Sequence, residues 1–305
     1  MRNDFLNEIV TLLRPTATLS KTVEFAGSWR ICRDGTGEPV YCAVLEGTCR
    51  LRAEDDVPVV LNAGDFVMLP ALRRLELESH DPPNASAVRL PVETAAGCYR
   101  VGPSDESADL RLQIGHCQFV SRNAAFLVPL LPNIIVARGA SRLATFAELI
   151  AEETRAQLPA RELVLERMLE LLLIEAIRRI SHDTPVSGIV RGLADARIAA
   201  ALRAVHSRPD HLWTVEELAR HAAMSRSAFF ARFSRTIGLT PMSYLTSWRM
   251  ALAQRLLSDH PPDVAQVARR VGYSSASTFS IAFLRHTGIS PARYIRERGG
   301  HDHRV

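Results

Sequence analysis

A chain of 305 residues with 47% hydrophobic composition is long enough to bury two moderate cores, so two domains are expected. Its most apolar stretch, 163–180, is interrupted by Glu166, Arg167, Glu170, Glu175, Arg178 and Arg179, which excludes a membrane span, and without a signal-like start the chain reads as soluble and cytoplasmic. The formal charge of +4 is unevenly placed: between His206 and Arg298 stand thirteen arginines against six acidic residues, a local +7, which makes the C-terminal third the candidate polyanion-binding part. Lys21 is the only lysine. Cysteines at 32, 42, 49, 98 and 117 lack metal-ligand spacing and read as buried thiols.

Residues 4–13 place Phe5, Leu6, Ile9, Val10 and Leu13 at helical spacing and stop before Pro15, as an arm or cap would. From 23 to 90 the pattern changes to short apolar runs divided by turn signals such as Asp34-Gly35 and Glu46-Gly47. Strand-sized runs at 41–45, 57–61, 65–69 and 110–114 predict a small antiparallel barrel or sandwich. Helices are predicted over 144–158, ending at Pro159, and over 161–180. The second is apolar on more than one face, so one face can cover the β structure while another, tested at Leu169 or Leu173, meets a second subunit. The polar stretch 181–188, broken by Pro185 and Gly188, marks the boundary between a domain at 1–185 and one at 192–305.

The C-terminal part contains an internal repeat. Ala219 and Ala268 correspond, as do Phe229 and Phe279, Phe233 and Phe283, and Gly238 and Gly288, and the copies continue to Pro241 and Tyr244 or to Pro291 and Tyr294. A helix-turn-helix needs a small residue where its helices cross and apolar residues that seat the second helix, and each copy supplies both. Thr214 with Glu217 forms a capping-box pattern, and Ser225 and Ser274 or Ser275 are expected caps for the second helices. The helical pattern at 241–257 would join the units rigidly, holding the recognition helices for major-groove segments roughly 34 to 36 Å apart.

On the run WTVEELA at 213–219, on PMSYL at 241–245, on Trp248-Arg249-Met250, on Gly272-Tyr273-Ser274-Ser275 and on the closing Phe283, Gly288, Pro291 and Tyr294, the segment 200–298 closely resembles the DNA-binding domain of the AraC/XylS family. The resemblance implies seven helices with two helix-turn-helices around a central helix. By position it implies base-edge readers at Ser227, Phe230 and Ala231 in the first unit, and at Ala276, Ser277, Ser280 and Ile281 in the second. Where many relatives carry a long polar side chain this chain has Ala231 and Ile281, so shape and phosphate contacts would carry more of the binding. Arg226, Arg235, Arg270 and Arg285, near helix ends, are the phosphate-contact candidates, whereas Arg249 beside Trp248 is expected in a structural ion pair. The four repeated phenylalanines are expected in the core.

The segments 40–51 and 61–70 resemble the cupin-type sensor of many such regulators. The whole is then a two-domain α+β protein: a cupin-like β-barrel with helices, followed by an all-α double helix-turn-helix. Metal-using cupins converge histidines on one ion, but Cys42 stands where related sensors often carry histidine, and a mixed site of Cys42, His116 and Cys117 has no recognisable spacing. No metal or other cofactor is assigned. Alternation along barrel strands puts Trp29, Tyr41, Ala43, Phe66 and Met68 in a pocket for a small, largely apolar effector, with Arg30 and Arg74 at its rim. No catalytic triad, phosphate loop or hydrolase motif stands out, so no catalytic residue is assigned. The expected activity is that of a homodimeric regulator on double-stranded promoter DNA, in contact with RNA polymerase. A metal-dependent cupin enzyme fused to a DNA-binding domain, and a ligand-independent regulator, are the competing readings.

Overall fold

The computed structural model describes residues 5–54, 56–83, 90–121, 123–156, 158–179, 188–258 and 263–299. They fall into two compact units, Leu13–Val186 and a second that joins Met1–Leu12 to Ser187–Val305. The expected boundary segment at 181–188 lies almost wholly outside the described residues.

The chain opens with α1 (Phe5–Leu13), which buries Ile9, Val10 and Leu12 and gives way to a strand at Pro15. The strands are β1 (Pro15–Phe25), β2 (Arg30–Asp34), β3 (Val40–Glu46), β4 (Thr48–Ala53), β5 (Val59–Asn62), β6 (Phe66–Leu69), β7 (Arg74–Glu78), β8 (Val92–Ala95), β9 (Cys98–Val101) and β10 (Leu110–Phe119). After the short α2 (Ala124–Leu127) come β11 (Ile135–Ala137), α3 (Ser141–Ala156) and α4 (Arg161–Arg178).

These strands form two sheets, one ordered β11-β6-β3-β10-β1-β9-β8 and one ordered β2-β7-β4-β5. The expected closed barrel is not what forms. Among the described residues no ladder joins the sheets, so each keeps two edges, and the apolar side chains between them make one core that includes Val23, Phe25, Trp29, Val44, Leu51 and Leu112. Strand-sized apolar runs suit a barrel or a sandwich equally well, because closure depends on which distant edges pair. The large sheet is buried on both faces: Val40, Cys42 and Val44 of β3 face the small sheet, while Tyr41 and Ala43 face the side on which α3 and α4 lie. Gly115 makes room there, because a Cβ on it would come 2.0 Å from the Tyr41 ring.

The second unit is helical beyond α1. It contains α5 (Gly188–Ala194), α6 (Ala196–Ser207), α7 (Val215–His221), α8 (Arg226–Ile237), α9 (Pro241–Leu256), α10 (Val264–Arg270), α11 (Ala276–Thr287) and α12 (Pro291–Gly299). The seven helices from α6 to α12 match the number the resemblance implies. No helix among the described residues is long and apolar enough to cross a membrane.

Candidate nucleic-acid interface and ligand cavity

Two helix pairs, α7–α8 and α10–α11, are built alike. Thr214 accepts from the Glu217 amide at 3.2 Å while Glu217 accepts from the Thr214 amide at 2.9 Å, closing the capping box at the start of α7. Asp263 caps α10 by accepting from the Ala265 amide at 2.9 Å. Each turn is closed by the same bond, Met224 N–H to Ala219 C=O in the first pair and Tyr273 N–H to Ala268 C=O in the second, both 2.9 Å. Ser225 then caps α8 and Ser275 caps α11, through the amides of Ala228 and Thr278.

The repeated phenylalanines seat these helices. Phe229 and Phe233 lie 5.5 Å apart between ring centroids, as do Phe279 and Phe283, and all four are buried. A tyrosine meets each pair edge-on, Tyr244 on Phe233 and Tyr294 on Phe283. Helix α9 serves both pairs: Tyr244 in its first turn packs on Phe233, and Met250, Ala253 and Leu256 in its second half share a cluster with Phe279 and Phe283.

Arg249 of α9 is structural, but not through the expected ion pair. Its Nε donates to the Pro209 carbonyl at 2.8 Å and its Nη2 to the His211 carbonyl at 2.7 Å, and its guanidinium lies 6.0 Å from the centre of the Tyr273 ring. It thereby ties the loop before α7 to the second turn. Neighbouring it in α9, Trp248 lies 3.9 Å from the imidazole of His206. His206 is buried, with Nε2 2.7 Å from the Tyr244 hydroxyl and Nδ1 3.4 Å from Glu8 of α1. Burial holds this imidazole down at about 4, against the pull of Glu8. It is therefore neutral at pH 7, and with the Glu8 carboxylate accepting from Nδ1–H, the tyrosine donates to Nε2.

The implied base readers lie on α8 and α11. Ser227, Phe230 and Ala231 are exposed on α8, and Ser277 and Ile281 are exposed on α11, whereas Ala276 and Ser280 are half-buried. The Ser280 hydroxyl donates to the Ala276 carbonyl at 2.7 Å, so it is already engaged with its own helix. All four phosphate candidates are exposed. Arg226 pairs with Glu216 at 2.9 Å, while Arg235, Arg270 and Arg285 have no ion pair among the described residues.

In the other unit the expected pocket residues divide. Trp29 lies in the core between the sheets against Phe25, with ring centroids 4.2 Å apart. Tyr41, Ala43, Phe66 and Met68 lie on the opposite face of the large sheet, fully buried and in register across β3 and β6. Of the rim arginines, Arg30 is matched by Glu76 at 3.3 Å and Glu78 at 2.9 Å, and Arg74 is exposed at the start of β7. A small cavity of this unit lies elsewhere, between the sheets. It measures about 50 Å³ and is lined by Val23, Phe25, Ile31 and Leu72, with Lys21, Arg33 and His116 also reaching it. The sequence singled out Lys21 only as the sole lysine. Its alternation with Val23 and Phe25 is the signal that places it on the inner face of β1.

Cys42 and Cys117 do not converge with His116. Cys42 faces the core between the sheets, and Cys117, adjacent in sequence to His116, faces the other side with its thiol near the Pro39 carbonyl. Burial pushes the Cys49 and Cys117 thiols up to about 12 and raises Cys42 as well, so these are unreactive packing groups.

Two helix-turn-helix pairs on one central helix define a DNA-binding protein. Comparison with known proteins agrees: residues 4–182 match the Cupin family model and residues 218–297 match a Helix-turn-helix domain model. The chain is 35% identical over 301 residues to an AraC-like transcription regulator of Streptomyces antibioticus, covering 95% of this chain and 98% of that protein. It is 28% identical over 302 residues to the RCS-specific HTH-type transcriptional activator RclR of Escherichia coli (strain K12), covering 97% and 98%. The DNA-binding domain of AdpA, crystallised with a target DNA, is 32% identical and covers 35% of this chain and 96% of its own, with a TM-score of 0.33. The chain belongs to the AraC/XylS family of transcription regulators, with a cupin domain ahead of its helix-turn-helix domain, and is a sequence-specific DNA-binding regulator.

Proposed function

We propose that the chain works in the cytoplasm as a homodimer on promoter DNA, contacts RNA polymerase there, and answers to a small, largely apolar ligand held between the two sheets. The observation that carries the DNA part is the exposure of matching positions on α8 and α11, with Ser227 and Ser277 near the helix starts and Arg235 and Arg285 near their ends. Serines at the start can touch base edges, and arginines at the end can meet the phosphate backbone. The carbon-lined cavity supports the ligand part.

The dimer part rests on α4, where Leu163 and Leu171 are 54% and 50% exposed. Leu169 and Leu173, the positions first expected on that surface, are buried instead. Periodicity in a helix apolar on several faces does not say which face is covered.

Binding of the full chain to promoter duplexes should weaken with rising salt. Arg285→Ala should lower affinity for many duplexes alike, and Ser277→Ala should change their ranking. A Ser277→Ala effect uniform across sequences would reverse the assigned roles. Leu171→Arg should convert dimer to monomer in sedimentation, and an unchanged dimer would remove α4 as the interface.

A further inference from the structure

The chain uses arginine almost everywhere it needs a cation: of 37 basic residues only Lys21 is lysine. That one lysine is 9% exposed, at the cavity between the sheets. The register of β1 against β10 sets Lys21 opposite Ile114 and Leu19 opposite His116, which brings the ammonium and the imidazole to one end of the cavity. Arg33, two residues beyond Ile31 on β2, reaches the same cavity from the small sheet.

Three half-buried arginines of this unit are matched by carboxylates: Arg30 by Glu76 and Glu78, Arg50 by Glu78, and Arg100 by Glu24. Lys21, Arg33 and His116 are not, since among the described residues none of the three forms an ion pair. The Lys21 ammonium lies 5.4 Å from the centre of the Tyr99 ring. Burial and then the guanidinium of Arg33 hold the Lys21 ammonium below its ordinary range. Burial, then Lys21 and Arg33, hold His116 down, with Glu38 alone opposing. An ammonium taken out of water beside the Arg33 guanidinium without a counter-charge is costly, and an anion bound beside Lys21 would relieve that cost.

We infer that this cavity binds a small monocarboxylic acid, its hydrocarbon body among Val23, Phe25, Ile31 and Leu72 and its carboxylate between Lys21, Arg33 and His116. The inference rests on the ligand-responsive reading above and gives that ligand its chemistry. The volume admits about four water-sized groups, which sets the body at a short or branched chain. A single charge costs less to bring into so apolar a site than the doubly charged head of an alkyl phosphate.

The sole lysine gives a direct reporter. Full-length protein labelled with ¹³C at lysine Cε has one lysine signal, and titration with 3-methylbutanoate should move it saturably and raise its titration midpoint. The matching amide, 3-methylbutanamide, should bind at least ten-fold more weakly by calorimetry. Lys21→Met, and independently Arg33→Gln at an exposed position, should each weaken the acid at least ten-fold and leave the amide unchanged, with both variants melting and binding DNA as the parent does. Equal affinity for acid and amide would overturn the anionic head while leaving an apolar ligand standing. Tighter binding of butyl phosphate than of the acid would overturn the carboxylate assignment. No saturable binding of short acids, amides or alcohols would overturn both this inference and the apolar-ligand reading.

Discussion

The two helix-turn-helix units solve the same packing problem with the same parts and then part company on their exposed faces. Serine caps, phenylalanine pairs, edge-on tyrosines and left-handed glycine ends at Gly238 and Gly288 recur. What differs is outside: Arg226 answers to Ala276, Phe230 to Ser280, and Ala231 to Ile281. The turns differ too. Where the second has Gly272 at φ +80, the first forces Ala223 to φ +52, and the second turn is one residue longer before its capping serine. The lesson is that fold-bearing positions are copied between the units, while the faces available to DNA are free to diverge.

If the two cores are truly equivalent, Phe229→Ala and Phe279→Ala should each destabilise the second unit by about 3 to 5 kcal/mol. Chemical denaturation followed by tryptophan fluorescence would read both, and a large effect from only one would break the equivalence.

A smaller effect sharpens the contrast, because the first unit's tyrosine, Tyr244, partners the buried His206. The folded-state pKa of His206 is depressed, so the unfolded chain takes up its proton first as the solution acidifies. Stability is then full above about pH 6.5 and falls as pH drops toward about 4, by up to about 3 kcal/mol. Melting of the full chain across this range, with His206→Gln as the control that flattens the slope, checks the sign. Stability that rose on acidification would contradict it.

The smallest expected effect lies in the turns. Ala223→Gly should relieve the left-handed alanine and raise stability by about 0.5 to 1 kcal/mol, offset in part by the freer unfolded chain. The reverse change, Gly272→Ala, should cost more, because its Cβ would come 2.6 Å from Arg249 Nη2 and 2.7 Å from the Asp210 carbonyl. Differential scanning calorimetry of the two variants would separate them.

The helical unit was legible because its anchors repeat at fixed spacing and pack within their own neighbourhood. Phe229, Phe233, Phe279 and Phe283 announced themselves as core and Thr214 and Ser225 as caps, while the choice between Ser274 and Ser275 is made by the structure in favour of Ser275. The sandwich was less legible for a physical reason. Alternation correctly groups Tyr41 with Ala43, and Phe66 with Met68, but a sheet buried on both faces gives no sign of which face holds a cavity. The first half of β1 carries Thr16, Thr18, Ser20 and Lys21 with few apolar residues, so that half of the strand, which brings the sole lysine inward, has no strand-like apolar alternation in the sequence. Nor can local pattern show that Glu8 meets His206, a pairing across 198 positions.

Both recognition helices are expected to engage one DNA at once, and hydroxyl-radical footprinting of the full chain on a bound promoter site reads that engagement. Two protected segments on one face of the duplex, about one helical turn apart per subunit, are expected, with Arg235→Ala thinning one and Arg285→Ala the other. A single protected segment per subunit, indifferent to Arg285→Ala, would contradict it.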